Sequence, residues 1–211
     1  WVRRDDPLEH TMHDIHGYAK GRREFVEPMG SEKRDYPNFD SLYFLPGQLA
    51  VLPLLDHEEV KTETILGSKQ NKPITLRAPI FVSHMSFGAL GKEAKIALAR
   101  GTAEFGTMMC SGEGGMLPES RAAATQYVFE MASGYFGWNE ENIARADGIE
   151  IKMGQSAKAG LGGLLPGHKV KGDIAVVRGL QEGQEARSPA RFPDINNLSD
   201  MKERIKWIRS I

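Results

Sequence analysis

Residues 80–106 read IFVSHMSFGALGKEAKIALARGTAEFG, and their pattern decides the fold class. Ile80, Phe81 and Val82 form a short apolar run that ends at Ser83. Such a run, bounded by turn residues, reads as a strand buried on both faces. His84-Met-Ser-Phe-Gly88 follows as a small polar loop. Leu90, Ala94, Ala97, Leu98 and Phe105 then recur at helical spacing, and Gly106 supplies a C-terminal stop.

The unit repeats. Residues 107–110 (TMMC) read as a second buried strand opening onto 111–115 (SGEGG). Residues 139–146 (NEENIARA) read as a short helix with Asn139 as its N-cap. Residues 149–153 (IEIKM) read as a third strand opening onto 154–163 (GQSAKAGLGG). Helices are expected over 172–178 and from a Ser199 cap to Ile211, the latter with Met201, Ile205 and Ile208 on one side. Strands buried on both faces and alternating with helices imply an α/β fold with a parallel sheet, whose ligands gather at the carboxyl ends of the strands. A closed (β/α)8 TIM barrel takes ~250 residues. The expectation is therefore a partial barrel, its first strands only, over residues 78–211. An irregular N-terminal extension and lead-in occupy 1–77.

Residues 1–45 are polar with no sustained period and read as a solvated extension. Residues 45–79 hold short apolar stretches broken by Pro46, Pro53, Pro73 and Pro79, read as short strands and turns. The chain opens on Trp1 without a signal-peptide pattern, and a helix runs to its last residue. Both ends read as cut, the chain being the N-terminal part of a longer protein.

Composition narrows the function. Lys+Arg 27 against Asp+Glu 28 leaves a net charge of −1, which gives no electrostatic reason to bind nucleic acid. No apolar run approaches the ~20 residues of a membrane span. One cysteine, Cys110, excludes an internal disulfide framework and points to a reducing, cytoplasmic setting. His10, His13 and His16 stand three apart, but no carboxylate or thiol partner completes a metal site, so none is expected. Neither a G-x-G-x-x-G nor a Walker A pattern follows the first strand. The 23 glycines cluster in the loops that follow strands.

The chemistry-bearing residues lie in those loops. Ser86 and Gly88 lie just past the first strand, where small residues let a flat ring approach the backbone. Ser111 and Glu113 lie past the second, with glycines clearing space around one carboxylate suited to proton handling or to accepting a substrate hydrogen bond. Lys152 stands inside an apolar strand, where a charge is costly without a partner; an anion or a reduced flavin would serve. His84 reads as a hydrogen-bonded loop residue or a catalytic one, and Cys110 as a small core residue.

Taken together, the ordered segments resemble the FMN-binding synthase domain of glutamate synthase. They are Pro79-Ile80 leading into Met85-Ser-Phe-Gly-Ala-Leu90, then Ser111-Gly-Glu-Gly-Gly115, then Ile151-Lys-Met-Gly-Gln-Ser-Ala-Lys158 with Gly160, Gly162-Gly163 and Leu165-Pro-Gly167. The resemblance covers about residues 78 to 210. It implies an FMN-containing (β/α)8 barrel in which reduced flavin delivers hydride to 2-iminoglutarate, formed from 2-oxoglutarate and ammonia, to give L-glutamate. By the same resemblance Met85, Ser86, Ser111 and Gln155 line the flavin, Glu113, Lys152 and Arg178 face the oxo-acid, and Glu113 and Lys152 are the catalytic residues. Arg and Lys bind carboxylates through charge-assisted hydrogen bonds, and cations beside a flavin stabilise its anionic reduced form. Electron-donor and glutaminase subunits are implied partners, and an iron–sulfur cluster would be ligated outside this chain.

The chain departs from the family pattern at four places. Leu164 stands where a substrate-binding Gln is usual, Ala159 replaces a Pro, Cys110 an Asn, and Phe192-Pro193 a His-His pair ahead of Asp194-Ile195. The alternative reading is a related flavin-barrel protein with a different oxo-acid or amine substrate, or a non-catalytic subunit. A 2-hydroxy-acid oxidase lacks a candidate His–Arg pair in these loops.

Overall fold

The computed structural model describes residues 12–21, 38–45, 47, 50–155 and 162–211. The expectations placed on His10 and on residues 156–161 lie outside these. Helix α1 (Met12–Ala19) and a single 3-10 turn (Phe39–Ser41) precede a small antiparallel hairpin, β1 (Thr64–Leu66) with β2 (Ile74–Leu76). Helix α2 (Lys92–Phe105) leads into β3 (Met108–Cys110), α3 (Pro118–Ala123), β4 (Gln126–Met131), α4 (Glu140–Arg145) and β5 (Gly148–Ile151). Two-stranded β6 (Leu164–Leu165) and β7 (Ala186–Arg187) flank α5 (Asp173–Arg178), and α6 (Leu198–Ser210) ends the chain.

Strands β3, β4 and β5 form one parallel sheet in sequence order, with Cys110 opposite Val128 and Glu130 opposite Glu150. Side chains alternate across a sheet with period two, and both faces are used here. Met109, Tyr127 and Phe129 point into the helical layer, packing with Ala99, Met116, Ala124 and Ile143, and with Leu98, Ile149, Trp138 and Trp207 around them. Met108, Cys110 and Val128 point the other way, onto Ile74 and Leu76 of β2. The hairpin therefore covers the amino-terminal part of that second face. Further along it, toward the carboxyl ends, the same alternation sets Glu130 and Glu150. A satellite core of Phe136, Leu165, Val170, Ala175 and Ala186 seats α5 beside the sheet.

Several expectations are met. Gly106 ends α2 with φ +83°, its N–H donating to Thr102 O at 3.0 Å, a turn only glycine makes without strain. Asn139 caps α4, its Oδ1 accepting from the Asn142 N–H at 2.8 Å.

Others need correction. Residues 80–83 join no strand ladder among the described residues. The Thr107 hydroxyl donates to Ile80 O at 2.6 Å and Val82 packs against the core of the sheet, while Ile80 and Phe81 are exposed. The buried face of α2 is Lys95, Ala99 and Thr102, while Ala94, Ala97 and Phe105 are exposed. A lysine holds the core position because its ammonium finds three carbonyls, described below. Strand β4 and helix α3 fill the stretch 116–138, for which no element was expected, and β4 is the central strand of the sheet. The cap of α6 is Asn197, whose Oδ1 accepts from the Ser199 and Asp200 N–H groups, rather than Ser199. The sheet is three-stranded, and the described residues are a mixed α/β arrangement that does not itself close into a barrel.

Phe129 is fully buried in the central strand and stacks on Trp138, ring centroids 5.4 Å apart. Phe129→Ala should destabilise the protein by roughly 3–5 kcal/mol, read as a lower denaturation midpoint with an unchanged denaturant slope.

Candidate functional site

The loops after residues 80–83 and after β3 lie back to back. Gly112 has φ +68°, and a Cβ there would stand 2.5 Å from Ser86 N. No other residue permits this approach. Beneath both loops lies Lys95, fully buried, whose Nζ donates to Met85 O (2.8 Å), Ser111 O (2.8 Å) and Cys110 O (3.3 Å). Burial pushes its pKa down to about 8, yet the three carbonyls match the three N–H donors of an ammonium; a neutral amine would leave one buried carbonyl unpaired. The sequence shows this residue only as a lysine one turn before Ala99 on an otherwise small-residue face.

Glu113, at the tip of the loop after β3, meets Lys152, just past β5. Lys152 Nζ donates to Glu113 Oε2 at 2.8 Å. Both side chains are largely buried, and Gly163 makes room for them, since a Cβ there would collide with Glu113 Oε1. The structure thus joins the two residues singled out as catalytic, 39 positions apart in the chain. Lys152 N–H also donates to Met131 O at 3.0 Å, which continues the β4–β5 ladder and sets the Lys152 side chain on the Glu130–Glu150 face.

Glu130 is a member of this group that the sequence reading missed. It is 4% exposed, and its Oε1 lies 3.7 Å from Lys152 Nζ without a hydrogen-bond partner. Burial, opposed by Lys152 and reinforced by Glu150 and Glu113, raises its pKa to about 7. An acidic residue inside the run QYVFEM, at an inward position of a β-rich segment, is the signal that could have found it.

Ser111 lies at the predicted place but is fully buried. Its hydroxyl donates to Gly112 O at 2.8 Å and accepts from the Glu130 N–H at 2.9 Å. It therefore braces the loop from within. Arg178, at the end of α5, is also buried. Its Nη2 donates to Phe87 O (2.9 Å) and Ser86 Oγ (3.3 Å), and its guanidinium lies 5.2 Å from the centroid of Phe136. Desolvation lowers its pKa, and Glu113 partly offsets this, so Arg178 adds positive potential behind the Glu113 carboxylate. Met85 and Ser86 lie on the clamped loop, and Gln155 is half-buried beyond Lys152.

His84 Nε2 lies 2.5 Å from Glu150 Oε2, and with Cys110 Sγ their potential ligand atoms fall within 4.8 Å of one another. Burial, with Glu150 and Glu130 nearby, pushes the Cys110 thiol up to about 12, so it stands beside the His84–Glu150 contact as a thiol and not as a thiolate ligand. Two surface clefts lie away from all of these residues. One is about 350 Å³ beside Arg121 and Asp147, at the amino ends of the strands; the other is about 450 Å³ beside Arg204 and Trp207. Glu113, Glu130 and Lys152 lie at the carboxyl ends of the parallel strands, where this fold class gathers its ligands.

Comparison with known proteins places these residues in context. A family model described as "Conserved region in glutamate synthase" matches residues 33–211. A glutamate synthase large subunit-like protein of Rhizobium meliloti is 39% identical over 181 residues, 85% of this chain and 41% of its own length. The archaeal glutamate synthase (NADPH) of Methanocaldococcus jannaschii is 33% identical over 223 residues, 93% of this chain and 44% of its own. The archaeal-type glutamate synthase (NADPH) of Thermotoga maritima is 30% identical over 238 residues, 99% of this chain and 46% of its own. The chain spans less than half the length of these relatives.

Glu130 gives a pH-dependent stability. Its pKa in the fold, about 7, is above the ordinary carboxyl value of 4.5, so the folded state holds this proton more tightly than the unfolded chain. The associated stability is complete below pH ~4.5 and is lost as pH rises through about 7. Glu130→Gln, which cannot ionise, should therefore be more stable than wild type at pH 8, by roughly 3 kcal/mol. The gap should close near pH 4, as followed by thermal melts across that range.

Proposed function

The chain belongs to the glutamate synthase family, and from that premise we propose that it forms the first strands of an FMN-binding (β/α)8 barrel, over residues 78–211. The whole protein, an oxidoreductase, reduces 2-iminoglutarate, formed from 2-oxoglutarate and ammonia, to L-glutamate. The observation that carries this reading is the Glu113–Lys152 pair, 2.8 Å apart at the carboxyl ends of the sheet and beside the loop that Lys95 clamps.

The residues present fit a flavin. Met85 and Ser86 lie on the loop that Lys95 holds from below through Met85 O. Lys152 supplies a cation within the same group of loops, and Gln155 follows it on the same segment. FMN, when bound, supplies the hydride. This chain's own residues do the rest. Lys152 Nζ holds a substrate carboxylate by a charge-assisted hydrogen bond. Glu113 accepts from the nitrogen that becomes the amine and keeps it facing the ring. Arg178, from behind Ser86, favours negative charge at this place. Electron-donor and glutaminase subunits complete the reaction as partners, an iron–sulfur cluster is ligated elsewhere in the protein, and the site of action is the cytoplasm. No helix of the described residues is long and apolar enough to cross a membrane.

The test is the flavin absorbance of the whole protein, followed by reoxidation of its reduced flavin with 2-oxoglutarate and ammonia. Removing one charge-assisted contact costs ~1.5–3 kcal/mol, about ten- to a hundredfold in affinity. Lys152→Ala should therefore raise KM for 2-oxoglutarate by that factor with FMN retained. A colourless protein, or an unchanged KM, contradicts the reading.

A second reading, the same flavin chemistry on another oxo-acid or amine, is favoured by one position. Leu164, half-buried in β6, adjoins Gly163, the residue against which Glu113 rests. A Leu there cannot donate a hydrogen bond to a distal carboxylate or keto oxygen, and a site without such a donor discriminates less for that group. Leu164→Gln should lower KM for 2-oxoglutarate relative to a panel of apolar oxo-acids; an unchanged ranking places Leu164 outside the substrate shell.

A further inference from the structure

We propose that Glu130 is a positioning residue for the oxo-acid: its protonation state governs how much of the Lys152 ammonium is available to a substrate carboxylate. The inference rests on the functional reading above and adds to it a regulated charge at the same site.

Three observations converge. Glu130 sits on the central strand, on the face that carries Glu150 opposite it in register, and is 4% exposed. Its Oε1 lies 3.7 Å from Lys152 Nζ, too far for a hydrogen bond, and no donor reaches that oxygen. Glu113 takes the same ammonium at 2.8 Å. Lys152 Nζ therefore stands between Glu113, to which it donates a hydrogen bond, and Glu130, which it faces at ion-pair distance without one.

The charged and titratable groups that face Glu130 come from every neighbouring element. Glu150 and Lys152 face it from β5 and its continuation, Glu113 from the loop after β3, the Cys110 thiol from β3, and Lys95 from α2. Lys95 is occupied by three carbonyls, and Glu150 lies against His84. The balance at the mouth of the site is set by Glu113, Lys152 and Glu130. With Glu130 ionised, two carboxylates share one ammonium, and an incoming anion meets net negative charge. With Glu130 protonated, the Glu113–Lys152 pair is neutral, and the anion meets a cation with a free N–H. The titration near pH 7 makes both forms accessible under ordinary conditions.

Linkage follows directly. An anion that prefers protonated Glu130 must raise its proton affinity, so binding takes up a proton. The proton passes from solvent or buffer to the Glu130 carboxylate, with no redox change and no bond made to substrate.

The experiment is calorimetric titration of the whole, flavin-loaded protein with 2-oxoglutarate, in buffers of differing ionisation enthalpy, from pH 6 to 8.5. Wild type should take up a substantial fraction of one proton near pH 7, and its Kd should weaken by about tenfold across the range. In Glu130→Gln both the uptake and the pH dependence of Kd should disappear. In parallel, the infrared band of a protonated carboxyl should titrate near pH 7 in wild type, a measurement that needs no variant. Binding with no proton uptake, or uptake and pH dependence that persist in Glu130→Gln, overturns the inference and leaves the functional reading standing. Absence of 2-oxoglutarate binding together with absence of flavin reoxidation overturns the functional reading, and the inference falls with it.

Discussion

A buried ammonium with three carbonyl partners organises this site. Lys95 reaches from α2 to Met85 O, Cys110 O and Ser111 O, and so ties the loop after residues 80–83 to the end of β3 and the loop that follows it. Backbone carbonyls with no strand or helix partner need another donor when buried, and leaving one unsatisfied costs about 1–3 kcal/mol. One side chain answers three of them at once. Once the loops are fixed, Gly112 can lie against Ser86, Ser111 can brace Glu130, and Arg178 can close onto Phe87 O. The position of Glu113 follows from that frame.

The second constraint is the two-residue alternation of a parallel sheet. It sends Met109, Tyr127 and Phe129 to the helices and Cys110, Glu130 and Glu150 to the opposite face. The charges then lie close together in a poorly solvated space, where each alters the others. Glu130 is raised by burial and by its acidic neighbours and restrained by Lys152. Cys110 is kept a thiol by the same burial and the same carboxylates. Active sites commonly collect such perturbed groups. In this chain they stand at the carboxyl ends of the strands, where α/β folds gather their ligands.

Much of the architecture was legible because it is local. A glycine that stops a helix, an asparagine that caps one, and short apolar runs opening onto glycine-rich loops each depend on a few neighbouring residues. Gly106, Asn139 and the runs at 107–110 and 149–153 were read on those grounds. The loops carrying Ser86 and Glu113, and Lys152 at the end of its apolar run, read as the chemical ends of the fold for the same reason. Strand β4 carries a weaker local signal, because the apolar run in QYVFEM is interrupted by Glu130. The face of α2 was misjudged because hydrophobicity marks a core only when burial is apolar, and Lys95 is buried through hydrogen bonds.

The sequence by itself therefore determined the α/β class, the glycine-rich loops that follow the strands, and the motifs by which the chain is similar to glutamate synthases. Each of these is written in the order and spacing of residues along the chain. Only the tertiary structure decided that Glu113 and Lys152 are one ion pair, that Ser111 and Arg178 brace the loops from within, and that Lys95 and Glu130 belong to the site at all. The physical reason is that burial and partnership are set by residues distant in sequence. Lys95 is a surface-type residue until the carbonyls of two other loops arrive, and Glu130 is an ordinary acid until β5 brings Lys152 and Glu150 beside it.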